Sequence, residues 1–183
     1  MLAALGVVAA TILSSQGVRS AAADAPTPSP SESVLYSFKG GADGAGPEAG
    51  LITDTSGNLY GTTRVGGTFS HMGTVFQLTP EGAESVLHSF GNVNVNDGAE
   101  PYGDLVMDIG NNLYGTTFGG GTHSEGAVFQ VSPPFTSGGT SAETVIYNFN
   151  DQDGDDGEGP EAGLIIDEKG NLYGTTFRGG RSQ

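Results

Sequence analysis

Three aspartates at alternate positions are the residues of this chain whose spacing most directly points to chemistry. Asp151, Asp153 and Asp155 lie in the stretch DQDGDDGEGPE, and carboxylate oxygens at this spacing are typical of loops that bind calcium. The stretch departs from an EF-hand, because its sixth place holds Asp156 instead of glycine and its twelfth holds Ala162 instead of glutamate. Two interpretations stay open, a calcium site and a solvated turn between strands.

Aspartate also recurs in two columns of a repeated pattern. One column precedes glycine and the other ends an apolar run; they are Asp43, Asp97 and Asp156, and Asp54, Asp108 and Asp167. Two carboxylates about 5–9 Å apart can hydrolyse glycosides, but a catalytic pair is expected once and not in every copy. Turn roles are therefore predicted. Aspartate before glycine accepts backbone N–H bonds in a turn, and the second column is expected to bond amides two or three residues on.

The three histidines offer little for catalysis. His71 and His123 lie in glycine-rich loops of different copies, and two histidines without a third ligand make a weak metal site. His88 falls in a column held by Tyr36 and Tyr147, so it is predicted to fill an aromatic place on a strand. The sequence has no cysteine, no Walker loop and no G-x-S-x-G elbow. No catalytic or cofactor-binding residue is predicted.

A seven-residue phrase written three times shows which elements position these residues. It reads GNLYGTT at 57–63, NNLYGTT at 111–117 and GNLYGTT at 170–176. Pro47, Pro101 and Pro160 recur with the same spacings of 54 and 59 residues, so the period is not confined to the phrase. A repeat of this length suits a module of about four strands.

Each copy holds four segments with strand character. In the first copy they are AGLITD (49–54), GNLYGTT (57–63), GTVFQLTP (73–80) and, after it, ESVLHSF (84–90). Their alternation of apolar, β-branched and aromatic residues is the period of a β-strand, and in the fourth segment the valine, histidine and phenylalanine are expected on one face. The turn before the phrase holds Gly57, Asn111 or Gly170, the residue types that most readily adopt positive φ. A hairpin is predicted there.

Glycine recurs in the middle of the second segment, as Gly61, Gly115 and Gly174. Glycine inside a strand weakens it, so its return predicts a ring or backbone packed closely against that point.

The predicted fold is all-β, with tandem four-stranded antiparallel modules arranged like the blades of a β-propeller. Repeat 1 covers about 33–83, repeat 2 about 84–142 and a partial repeat 3 about 143–183, which gives two and a half to three blades. Propellers close with 4–8 blades. The chain is therefore expected to be a fragment of a longer gene product or to self-associate and so complete the array. If it folds alone, a stacked β array or a sandwich is expected instead of a ring.

Composition and the N-terminal segment bear on compartment and partners. A formal charge of −15 excludes nucleic acid and anionic lipid as partners. The apolar run LAALGVVAATIL (2–13) has the length of a signal-peptide core and is too short to span a bilayer. Residues 1–25 are predicted to be a signal peptide and 26–32 a Pro/Ser-rich linker, with no membrane span in the mature chain. No Lys or Arg precedes the run, so an uncleaved N-terminal anchor stays as the alternative.

Taken together, the motifs AGLI, GNLYGTT, GTVFQLTP and SVLYSF resemble the tandem GloVer repeat of choice-of-anchor proteins, over about residues 33–180. The resemblance implies an exported or surface-held bacterial protein built of tandem β modules, and it implies no catalytic residues. The predicted function is a secreted or cell-surface, non-enzymatic binding or structural module for a glycan or protein. The alternative is a fragment of an extracellular β-propeller enzyme that acts on glycans.

Overall fold

The computed structural model describes residues 6–10, 33–69, 71–92, 96–134, 141–150 and 156–180. Within them the chain forms sixteen strands and one 3-10 turn, Gly41–Asp43. The strands are β1 (Gly6–Ala10), β2 (Ser33–Phe38), β3 (Ile52–Thr53), β4 (Leu59–Thr63), β5 (Thr74–Leu78), β6 (Glu84–Ser89), β7 (Gly98–Ala99), β8 (Val106–Met107), β9 (Leu113–Thr117), β10 (Gly119–Gly120), β11 (Ala127–Ser132), β12 (Ala142–Asn148), β13 (Gly157–Glu158), β14 (Ile165–Ile166), β15 (Leu172–Tyr173) and β16 (Arg178–Gly179).

Two four-stranded antiparallel sheets contain most of the strand residues. Their strand orders are β3-β4-β5-β6 and β8-β9-β11-β12, so each sheet holds the four predicted segments in chain order. The third copy contributes the antiparallel pair β14-β15, while β7-β10 and β13-β16 pair loop segments. The prediction of tandem four-stranded modules is confirmed. Within the described residues the sheets do not close into a ring.

The hairpin between the first and second strands forms as its turn residues predict. Gly57 and Gly170 each have a φ of 83°, and Asn111 has a φ of 62°. A bulkier β-branched residue would be strained in this left-handed region, whereas glycine and asparagine enter it at low cost. The turn therefore sets the register that pairs Ile52 with Tyr60.

A β-bulge in the fourth strand is a feature that simple alternation did not predict. Phe76 pairs with Val86 while the preceding Val75 pairs with His88, so Leu87 has no direct partner on the neighbouring strand. The same shift occurs between β11 and β12 and between β1 and β2. Because Val75 and Phe76 face opposite sides of β5, the expectation that Val86 and His88 share a face is wrong.

Two pairs of phenylalanines join a fourth-segment strand to the sheet that follows it in the chain. Phe90, just after β6, contacts Phe129 on β11 with ring centroids 4.9 Å apart, and Phe38 contacts Phe76 at the same distance. All four rings are buried. Edge-to-face pairs of this kind add to the stabilisation from burial alone. The core therefore lies between the sheets and not within one of them.

The mid-strand glycines make room for those rings. A Cβ atom on Gly61 would lie 2.9 Å from Cζ of Phe76, and one on Gly115 would lie 2.6 Å from Cζ of Phe129. Both distances are too short for carbon atoms in contact. The predicted close packing at this column is confirmed, and the neighbour is an aromatic ring in both complete modules.

The N-terminal apolar run is described only at Gly6–Ala10, where it forms β1 and pairs antiparallel with β2. Its bulged register on β2 matches that of β5 on β6, since Val8 pairs with Tyr36 as Val75 pairs with His88. Among the described residues, no helix is long and apolar enough to cross a membrane.

Candidate ligand-binding cleft

A cleft of about 180 Å³ opens between the second and third modules. Its lining combines two aromatic rings with charged and small polar residues: Phe118, Ser124, Glu125, Glu158, Gly159, Phe177 and Arg178. Aromatic surface with a few converging polar groups is the usual composition of a small-ligand site. This cleft is therefore the candidate functional site.

The two rings are equivalent positions of successive repeats. Phe118 and Phe177 each follow the LYGTT strand, where the first repeat has Arg64. The backbone N–H of Phe118 donates to the Glu100 carbonyl at 3.0 Å, and that of Phe177 donates to the Glu158 carbonyl at 3.1 Å. The backbone of each phenylalanine is thus held by the residues at the strand pair beside it, and both rings line the cleft.

Gly159 lines the cleft and lies close to the Phe118 ring. It has a φ of 58°, and a Cβ atom there would lie 2.9 Å from Cε2 of Phe118. Its N–H donates to the Glu125 carbonyl at 2.8 Å. Both the left-handed backbone and the close ring require glycine at this place.

The rim carries opposite charges beside an exposed ring. Arg178 Nη1 lies 3.5 Å from Glu158 Oε1, and the guanidinium lies over the Phe177 ring at 5.2 Å from its centroid. The Phe177 side chain is 59% exposed. An exposed ion pair of this length contributes little to stability, so both groups are available to a ligand at low cost.

The aromatic surface continues toward the first module. Tyr102 packs edge-to-face on Phe118 with centroids 5.7 Å apart, and Arg64 lies over the Tyr102 ring at 5.1 Å. Arg64 also pairs with Glu48 at 3.3 Å and Glu100 at 3.6 Å. Three modules therefore contribute to one surface on which rings alternate with guanidinium and carboxylate groups.

The sequence motifs do not single out these residues as a site. Their signal was present in the position after each LYGTT strand, which holds arginine once and phenylalanine twice while its neighbours barely vary. A variable residue on a constant framework is expected where binding surfaces lie.

The second aspartate column forms a hairpin clamp. In the second module Asp108 Oδ1 accepts from the N–H groups of Gly110 at 2.8 Å and Asn112 at 2.9 Å. Its Oδ2 accepts from Asn112 Nδ2 at 2.8 Å and from the Tyr114 hydroxyl at 3.0 Å. The predicted capping role is confirmed at the amide two residues on, but the second amide is four residues on, because the amide three residues on donates to the aspartate carbonyl. Asp54 and Asp167 make the same set of bonds.

These bonds also explain the titration of the clamp. Burial alone would raise the pKa of Asp108, but the hydrogen bonds from Asn112 and Tyr114 outweigh it and lower that pKa. The side-chain amide of Asn171 is the largest of the bonds that hold the pKa of Asp167 at about 2. Carboxylates that are fully used by a turn are not free for acid–base chemistry.

The first aspartate column closes the loop after each fourth strand. Asp156 accepts from the Tyr147 hydroxyl at 2.7 Å and from the N–H groups of Asn150 at 3.0 Å and Gly157 at 2.8 Å. Asp43 accepts from the Tyr36 hydroxyl at 2.6 Å in the same way. The predicted turn role is confirmed, and the aromatic residue of the strand is the additional partner.

The three histidines do not line the cleft. His88 packs edge-to-face on Phe90 at 4.7 Å, as Tyr36 does on Phe38, so its aromatic place is confirmed. Among the described residues, His71 and His123 belong to no group of three metal-ligating side chains. The calcium candidates Asp151, Asp153 and Asp155 lie outside the described residues.

The fold and the repeated clamp define a tandem-repeat protein with β-propeller-like modules. Its sequence matches the family model described as the Gloeobacter/Verrucomicrobia repeat over residues 25–183. The chain belongs to this GloVer repeat family. No curated protein matches the sequence.

Among solved structures, the chain is similar to the X-ray structure of a protein provisionally named gluconolactonase. The two are 16% identical and align with a TM-score of 0.51, over 82% of this chain and 48% of the other. The chain thus spans about half the length of that structure. At this identity the likeness concerns the fold, and it supports the propeller-like arrangement of the modules.

Proposed function

We propose that this protein is an exported, non-enzymatic binding module that holds a glycan or protein ligand at the cell surface or in the extracellular space. The observation that carries the proposal is the cleft between Phe118 and Phe177. It offers ring faces, a guanidinium and carboxylates at one surface. Glycans present apolar ring faces edged by hydroxyl groups, which such a surface matches.

Exposure of the cleft residues supports a binding role. Phe177 is 59% exposed, although phenylalanine is usually buried, and its ring does not take part in the core between the sheets. Exposed aromatic and arginine residues are enriched where proteins bind partners. Loops on a rigid sheet framework are also where binding residues concentrate.

The extracellular location is the second part of the proposal. It is supported by the apolar run at 2–13, which small residues follow. Expression with the natural N-terminus and sequencing of the secreted protein tests it, with cleavage expected after Ala23 or Ala25. A chain that keeps Met1 and stays inside the cell contradicts this location.

Ligand binding is tested on the full chain with a glycan array and a panel of extracellular proteins. Binding is expected, and Phe177→Ala is expected to weaken it at least tenfold without changing the melting temperature. Phe69→Ala is the matched control, because Phe69 is 43% exposed on a loop of the first module, away from the cleft. Equal loss in both variants, or none in either, contradicts the assignment of the cleft.

A hydrolysis screen of the same glycans separates binding from catalysis. Binding without turnover is expected. Turnover that a single change of Glu125 or Glu158 to glutamine abolishes would make the protein an enzyme that acts on glycans and would overturn the non-enzymatic role.

A further inference from the structure

A second group of polar side chains lies at the interface between the first and second sheets. His88 on β6, Asp97 in the loop before β7 and Glu143 on β12 place one ligand atom each within 4.8 Å of one another. His88 Nε2 lies 3.1 and 3.2 Å from the two oxygens of Asp97. We propose that His88, Asp97 and Glu143 bind a divalent transition-metal ion of the Zn²⁺ type and thereby join the two modules.

The site is built into the structure and does not lie on the solvated surface. The Asp97 side chain is completely buried and the His88 side chain is 16% exposed. Glu143 Oε1 is buried and has no hydrogen-bond partner among the described residues. A buried carboxylate oxygen without a partner is costly, and a cation beside it would supply the missing interaction. Glu84 Oε1 at the equivalent place also lacks a hydrogen-bond partner among the described residues, so the His88 imidazole is what distinguishes this site.

Two carboxylates and an imidazole favour a transition metal over calcium. Calcium takes 6–8 oxygen ligands, whereas Zn²⁺ takes four ligands and accepts histidine nitrogen together with carboxylate oxygen. Ligand atoms around a tetrahedral Zn²⁺ lie about 3.4 Å apart, given bonds of about 2.1 Å. The His88–Asp97 distances are already close to this value, so a modest movement of the Glu143 carboxylate would complete the set. Three protein ligands leave the fourth position for water.

The junction between β2 and the first sheet shows what the same place looks like without the metal-ligating imidazole. Tyr36, Asp43 and Glu84 occupy the equivalent positions, and the Tyr36 hydroxyl donates to Asp43 at 2.6 Å. A protonated phenol is a hydrogen-bond donor, while a neutral imidazole offers a nitrogen lone pair to a metal. His88 is bonded to Asp97 as Tyr36 is to Asp43, so what the exchange of tyrosine for histidine adds is an imidazole that can offer a nitrogen lone pair to a metal beside two carboxylates.

The test is zinc binding by the untagged full chain after treatment with a chelator. Calorimetric titration with Zn²⁺ is expected to give one ion per chain, and Co²⁺ is expected to give the absorption bands of a four-coordinate site. His88→Tyr and Glu143→Gln should each weaken binding at least tenfold, whereas Glu84→Gln in the first module should leave it unchanged.

Three outcomes would overturn the proposal. They are no binding at millimolar Zn²⁺, full binding by His88→Tyr, and loss of binding only when His71 and His123 are both replaced by alanine. Because tyrosine fills this column in two other copies, His88→Tyr is expected to fold, which circular dichroism checks. If it does not fold, X-ray absorption of the zinc-loaded natural chain is the test. One nitrogen ligand with carboxylate oxygens is expected, and any other ligand set contradicts the proposal.

Discussion

At the scale of single residues, the structure explains why an aspartate, an asparagine and a tyrosine recur together. One carboxylate accepts four hydrogen bonds across the hairpin turn, and the tyrosine hydroxyl that donates one of them belongs to the next strand. The same four bonds form in all three copies, although the tyrosine is buried in the first copy and 52% exposed in the third. The clamp is thus a local device that does not depend on its surroundings.

Replacing the clamp aspartate should cost more stability where the hairpin is packed. Asp108→Asn keeps the shape of the side chain but places an NH2 group where a carboxylate oxygen accepted hydrogen bonds. It is expected to lower the free energy of unfolding by about 1–2 kcal/mol. Asp167→Asn breaks the same bonds on an exposed hairpin, where water replaces them, and should have a smaller effect. Urea denaturation measures both, and an equal or larger effect at Asp167 contradicts this explanation.

A second residue-scale prediction concerns the pH dependence of stability. Burial, and then the charge of Asp43, raises the pKa of Glu84 from 4.5 to about 7, while Lys39 opposes the shift. Folding therefore favours the protonated form, so its contribution to stability is complete below about pH 4.5 and is lost as the pH rises through about 7.

Glu84→Gln should reduce this loss of stability between about pH 4.5 and 8. At pH 8 the variant is expected to be more stable than the natural protein by about 1 kcal/mol, a value lowered for partial solvent access. Thermal unfolding across the pH range measures it. The exposed Glu81→Gln is the control, and identical pH profiles for the natural chain and Glu84→Gln would contradict the prediction.

At the scale of the strand, the mid-strand glycine and the facing phenylalanine form one packing unit. A Cβ atom on Gly115 would lie 2.6 Å from Phe129 and 2.9 Å from Leu105 Cδ2. Both neighbours are buried, so neither can move away without disturbing the interface between the sheets.

Gly115→Ala is therefore expected to lower the free energy of unfolding by about 1–3 kcal/mol through overpacking. Gly119→Ala is the matched control, because a Cβ atom there meets nothing within 4 Å. Chemical denaturation compares the two variants, and the idea fails if they have the same stability.

The strands also show how far sequence reasoning reaches at this scale. The apolar alternation and the turn glycines locate the strands and hairpins, because both are local consequences of residue type. The bulge at Leu87 was not predicted from the sequence, because a bulge is defined by the register with the neighbouring strand. The site formed by Phe118 and Phe177 was not predicted for a similar reason, because its formation depends on how two modules pack.

At the scale of the whole molecule, the first and second sheets are held together by one shared hydrophobic cluster. The Phe90–Phe129 pair joins the first sheet to the second, and Pro101 packs on Gly73, where an added Cβ atom would lie 2.6 Å from the proline Cδ. Stability of such an array is expected to be a sum of module terms and interface terms.

Phe90→Ala should remove the main interface term. A loss of about 3–5 kcal/mol is expected, since Phe90 is completely buried. It should separate the unfolding of the two modules into two transitions, which calorimetry resolves. Phe177→Ala removes an equally large but exposed ring and should leave the unfolding unchanged, whereas a single unshifted transition in Phe90→Ala would contradict the role of the interface.

The sequence by itself determined the period of the repeat, the four strands of each module, the positive-φ turns and the need for small residues at Gly61 and Gly115. These follow from short-range geometry, which residue type fixes. Only the tertiary structure decided that Phe118 and Phe177 line one cleft and that His88, Asp97 and Glu143 meet. Both groups combine residues from different modules, and their distances depend on sheet packing, for which a single sequence carries no local signal.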